Sequence, residues 1–120
     1  MTDPCPPLNT DDAGWTDVLA AELLSPDDVT TLPGPHGEIA LYSVAGAVFA
    51  TDNRCTHGNA RLCEGFLLDH EIECPLHQGR FDVRTGAATG APAIAALRCY
   101  PARVLAGRVW LQLDSSEAPR

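Results

Sequence analysis

An all-β fold built from antiparallel strands is what three features of the chain predict. Val109, Leu111 and Leu113 alternate with Arg108, Trp110 and Gln112, the period-two pattern of a half-buried strand. Two small turns, Ala45-Gly46 and the one at Gly107, each separate a pair of β-prone runs, which is a hairpin signal. A competing helix signal is Asp17–Leu24, with the helix formers Ala20, Ala21, Glu22, Leu23 and Leu24. A strand from Trp15, with its indole buried against the sheet, followed by a turn is the expectation there.

The elements follow in order. Residues 1–14 are rich in Pro, Asp and Asn and read as a flexible leader. Ser25-Pro26-Asp27-Asp28 is a turn or a helix N-cap with Pro at the first helical position, and Val29–Leu32 a short strand. Pro33-Gly34-Pro35-His36-Gly37 turns the chain again, with His36 an exposed turn residue. Glu38–Val44 and Ala47–Thr51 form the first hairpin. Asp82–Gly86 reads as a brief strand and a turn. Leu97–Tyr100, Arg103–Ala106 and Arg108–Leu113 complete the scaffold, and residues 114–120 form a tail.

Between the hairpins lies an insertion, residues 52–92, too long for an ordinary loop unless it binds something. It holds three of the four histidines and two short Cys/His pairs, Cys55-Thr56-His57 and Cys74-Pro75-Leu76-His77, 16 residues apart. Each pair offers one thiolate and one imidazole. That set suits a [2Fe-2S] centre in which two cysteines hold one iron and two histidines the other. Neutral imidazoles leave less negative charge on the core than four thiolates do, so the electron is accepted more readily. The same donors also make a structural zinc site, although C-x-H is an unusual zinc pair and no ββα finger helix follows. Gly58 and Gly79 let backbone N–H groups approach sulfur, or simply turn the chain. Leu76, Phe66, Leu67 and Leu68 are candidates to shield the centre. Phe81 and Val83 are expected in the core beneath it. His70, among acids in a turn, reads as a surface residue. Cys99 reads as a small buried apolar residue, and Cys63, inside the loop, as a structural thiol or else a third ligand. Arg54 and Arg80 either brace the loops by salt bridges or meet an acidic partner.

The chain has 120 residues and a formal charge of −8, from 16 acids and eight bases, all arginine. Residues 1–38 carry eight acids and no base. Such a surface does not suit phosphate backbones, so nucleic acid is excluded as a partner. It suits docking on a basic protein surface, or serves solubility alone. No apolar run approaches the roughly 20 residues that cross a bilayer. The start lacks a basic and apolar leader, so a cytoplasmic monomer is expected.

The runs Ala50-Thr51-Asp52-Asn53-Arg54-Cys55-Thr56-His57-Gly58 and Ile72-Glu73-Cys74-Pro75-Leu76-His77-Gln78-Gly79-Arg80-Phe81-Asp82 closely resemble those of Rieske-type ferredoxins of bacterial aromatic-ring-hydroxylating dioxygenase systems. The likeness extends from about Trp15 to Leu113. It implies a Rieske fold: an antiparallel barrel or sandwich scaffold, 15–51 and 93–113, and a smaller rubredoxin-like cluster-binding subdomain, 52–92, in one domain. It implies one [2Fe-2S] cluster, with Cys55 and Cys74 on the inner iron and His57 and His77 on the outer. Gly90-Ala91-Pro92 matches the proline loop that covers the cluster. The resemblance further implies a one-electron carrier between a flavoprotein reductase that oxidises NAD(P)H and a terminal oxygenase, and not itself an enzyme. The alternatives are a small Rieske subunit of a nitrite-reductase-like enzyme and a zinc-binding structural or interaction module. Cytochrome bc-type relatives carry a disulfide between the cluster loops, where this chain has Ala60 and Leu76. Their Ser and Tyr near the cluster are matched by Arg80 and by Phe81 or Asp82. Fewer hydrogen bonds to sulfur imply a potential at the low end of the Rieske range, about −150 mV.

Overall fold

Strands make up more than half of the described residues in the computed structural model, which describes residues 15–35, 37–56, 60–76, 78–91 and 95–113. In chain order they are β1 (Trp15–Ala20), β2 (Asp28–Gly34), β3 (Gly37–Val44), β4 (Ala47–Asp52), β5 (Phe66–Leu68), β6 (Glu71–Glu73), β7 (Arg80–Asp82), β8 (Ala88–Gly90), β9 (Cys99–Tyr100), β10 (Ala102–Leu105) and β11 (Arg108–Gln112). They form three antiparallel sheets, ordered β1-β11-β10, β2-β3-β4-β9 and β5-β6-β7-β8. The third sheet lies wholly inside the 52–92 insertion. The helix signal at 17–24 yields to β1, followed by one short 3-10 turn at Ala21–Leu23.

Both hairpins form where expected. Val44 pairs with Ala47 across Ala45 (φ 52°) and Gly46 (φ 84°), and Leu105 pairs with Arg108 across Ala106 (φ 53°) and Gly107 (φ 76°). Two left-handed residues give the turn whose twist matches the strands it joins. The turn expected at 33–37 is shorter, because β2 runs on to pair Gly34 with Gly37. His36 lies outside the described residues, as do the leader 1–14 and the tail 114–120.

Strand β3 organises the interior. Its near-continuous apolar run is buried on both faces, as a strand between two layers must be. Ile39 and Leu41 point into one core with Ala50, Tyr100, Val109 and Leu111. Ala40, Tyr42 and Val44 point the other way, into a core with Cys55, Leu62, Ile72, Cys74, Phe81, Val83 and Leu97. One strand therefore joins the scaffold's core to the core beneath both cysteine loops. Phe81 and Val83 are buried there, as expected.

The final strand departs from its pattern. Trp110 is only 8% exposed, although alternation assigned it to solvent. The reason is position: β11 is the middle strand, and Trp110 stands in register between Asp17 and Arg103. Trp15 is half-buried rather than buried, with the Arg103 guanidinium 4.0 Å above its ring. Cys99 is also half-buried, lying against Gly86.

Candidate metal centre

Cys55 and Cys74 come together from separate loops, and both are buried. The first loop closes when the Cys55 N–H donates to the Ala60 carbonyl at 2.9 Å. The second closes when the Cys74 N–H donates to the Gly79 carbonyl at 2.7 Å. The two thiols are near enough to hydrogen-bond and to perturb each other electrostatically. Burial, with the neighbouring Cys55 adding to it, pushes the Cys74 thiol up to about 11, against a smaller opposing effect of the Leu76 N–H. That N–H points at the Cys74 sulfur from 3.4 Å. The Cys74 thiol is therefore protonated at neutral pH, and loading a metal displaces its proton. Two converging buried sulfurs, one with an N–H donor aimed at it, fit an iron bound by two thiolates.

His57 and His77, the other two expected ligands, lie outside the described residues, as do Gly58 and Pro92. Among the described residues no group of three or more His, Cys, Asp or Glu gathers to hold a metal. Cys63 is occupied elsewhere: its N–H donates to Asn53 Oδ1 at 2.9 Å, and its sulfur accepts from Asn53 Nδ2 at 3.4 Å. His70 does sit in a turn between two strands, but it is half-buried. Its ring meets Phe49 edge-on at 5.7 Å between centroids.

The expected apolar shield is corrected by strand geometry. On β5 only Leu67 faces the core; Phe66 and Leu68 point outward, 63% and 61% exposed. Leu76 is 40% exposed beside the second loop. Arg80 braces its own sheet, 3.5 Å from Glu73, with its stem across Gly90. Arg54 is exposed, its backbone bridged to that of Arg61.

Four structural residues escaped sequence reasoning. Asn53, 1% exposed, ties the first loop to Glu38 at 3.1 Å and to Cys63. No ligand spacing flags an amide. Gly65 touches the Glu73 backbone so closely that a Cβ there would lie 1.9 Å from the Glu73 carbonyl oxygen. Gln78 carries the left-handed conformation of the second loop, φ 63°, which the neighbouring Gly79 does not adopt. Thr56 Oγ1 donates to the Ala95 carbonyl at 2.7 Å, linking the first loop to the segment after β8.

The Rieske [2Fe-2S] domain family matches residues 14–101. The ferredoxin component of the naphthalene 1,2-dioxygenase system of Pseudomonas aeruginosa is 48% identical over 100 residues, spanning 83% of this chain and 96% of that one. The ferredoxin of carbazole 1,9a-dioxygenase from Nocardioides aromaticivorans IC177 superposes with a TM-score of 0.77 at 34% identity, covering 81% of this chain and 95% of that one. A chain from a complex of reduced oxygenase and oxidized ferredoxin in carbazole 1,9a-dioxygenase superposes with a TM-score of 0.76 at 34% identity, covering 83% and 94%. With the paired thiols on this all-β frame, these matches show that the chain belongs to the Rieske [2Fe-2S] domain family, among the ferredoxins of dioxygenase systems.

Proposed function

We infer that this chain is the one-electron carrier of an aromatic-ring-hydroxylating dioxygenase system. It takes electrons singly from an NAD(P)H-dependent flavoprotein reductase and delivers them to a terminal oxygenase; it is not itself an enzyme. The observation that carries this reading is the buried pair Cys55 and Cys74, held on two loops over a shared core in a Rieske frame. In our reading Cys55 and Cys74 bind the inner iron, and His57 and His77 the outer. A bound [2Fe-2S] cluster supplies the one-electron couple. The chain's own part is to bury the thiolates, exclude water from them, and hold the Leu76 N–H toward Cys74 sulfur. Residues 52–92 act as the cluster-binding subdomain, on a scaffold of 15–51 and 93–113. No helix among the described residues is long and apolar enough to cross a membrane, and the carrier works in the cytoplasm as a monomer.

The test is spectroscopic and kinetic. Purified holo-protein is expected to be red-brown, to contain iron and acid-labile sulfide in equal amounts, and to give the EPR signal of a mixed-ligand [2Fe-2S] centre once reduced. Ring hydroxylation by the reductase and oxygenase should require it. A colourless zinc protein would overturn the assignment. Replacing His57 or His77 by Cys should lower the midpoint potential or lose the cluster; unchanged spectra would refute the ligand set. With Arg80 turned to Glu73, position 80 offers no hydroxyl to sulfur, which supports a midpoint of about −150 mV. A midpoint above roughly 0 mV would contradict it.

A further inference from the structure

The apolar side chains exposed on the β5–β6 hairpin belong to neither core. Five large hydrophobic residues are exposed among those described, and three of them fall within residues 66–76. Leu76 belongs to the second cysteine loop. Phe66 and Leu68 stand on β5, an edge strand, on the sheet face turned away from the core. In register Phe66 lies opposite Glu73, the residue before Cys74, and Leu68 opposite Glu71. The apolar surface thus starts beside the metal loop and runs away from it.

Its charged surroundings lean acidic: Asp69, Glu71, Glu73 and Asp82 stand against Arg80 and Arg84. Glu73 is matched by Arg80, and Asp82 by Arg84 at 2.9 Å. Asp69 in the turn and Glu71 next to Leu68 make no salt bridge among the described residues. The open end of the patch therefore carries Asp69 and Glu71, with Arg84 near enough to act on Glu71 through space. A second copy of this chain would set carboxylate against carboxylate at a net charge of −8 per chain, which disfavours self-association through this edge. A partner bearing an apolar hollow edged by lysine or arginine complements both features.

We propose that the outer face of the β5–β6 hairpin, Phe66 and Leu68 edged by Asp69 and Glu71, docks such a basic-rimmed protein and serves one of the carrier's two electron-transfer steps and not the other. The inference rests on the electron-carrier reading above. A carrier that receives and delivers electrons through one metal site must present that site to both partners. Surface away from the site is then what distinguishes them.

Stopped-flow reduction of the holo-protein by its flavoprotein reductase, and its re-oxidation by its oxygenase, test this separately. Phe66→Ser with Leu68→Ser, and Glu71→Lys alone, are compared with Leu23→Ser, which removes a 70% exposed leucine elsewhere. The hairpin variants should keep the cluster's EPR and visible spectra. Each should raise the apparent Kd about tenfold in one step only, with Glu71→Lys also flattening that step's salt dependence. Leu23→Ser should change neither step. Equal effects on both steps, no effect on either, or an equal effect of Leu23→Ser would overturn the proposal. A wild-type protein with an intact cluster that exchanges electrons with neither partner would refute the carrier reading itself, and this inference with it.

Discussion

The two cysteine loops solve one problem by different means. Each is closed by a backbone hydrogen bond, and the first is further held by side chains from outside it. Asn53 bonds to Cys63 and Glu38, and Glu38 of β3 receives both Arg61 Nε at 2.9 Å and Arg61 Nη2 at 3.0 Å. The second is held by its own backbone and by tight packing: the Cys74–Gly79 closure, the left-handed Gln78, and Gly65 pressed on Glu73 and Pro75. A side-chain network tolerates partial loss, because water can replace an exposed member. A backbone contact at van der Waals limits tolerates none. The second loop is therefore expected to be the brittle one and the first the adjustable one.

Gly65→Ala should have the largest effect. Its Cβ would meet the Glu73 carbonyl, parting β5 from β6 at the approach to Cys74. A loss of about 3 kcal/mol and of bound iron is expected, read by denaturant melts and iron content; an intact, fully loaded variant would break the comparison. Asn53→Ala should cost about 2 kcal/mol by leaving the Cys63 N–H without its acceptor. It should retain more iron than Gly65→Ala, and the reverse order would refute the brittle and adjustable assignment. Gln78→Gly relieves a left-handed side chain and should stabilise by about 0.5–1 kcal/mol in thermal melts.

The smallest effect belongs to Glu38. Its carboxyl is held below the ordinary 4.5, first by the Arg61 hydrogen bond and then by Asn53. A depressed folded value means its contribution is fully present above the unfolded value and is lost as pH falls through the folded one. Acid melts of Glu38→Gln should show less pH dependence in that window than the wild type. Because the pair is half exposed, salt should also shrink the difference.

How far the sequence reached differs between scaffold and site. The hairpins at 45–46 and 106–107 were legible because glycine marks turns and alternation marks strands. Trp110 was misplaced because alternation describes one strand, whereas burial depends on what flanks it. Phe66 and Leu68 were misplaced for the complementary reason. As apolar residues near the ligands they seemed to be shields, yet the pairing of β5 with β6 turns them outward and Leu67 inward.

Local chemistry in the sequence was enough to propose the donor set Cys55, His57, Cys74 and His77, and to give the all-β class and the acidic charge. Residue type and spacing carry such information without reference to the rest of the chain. Only tertiary structure decided that Cys55 and Cys74 share one buried core, that β3 joins this core to the scaffold, and that Asn53, Gly65 and Gln78 hold the loops. Those facts depend on contacts between residues far apart in sequence or on backbone conformation, and neither is written in any single residue's chemistry.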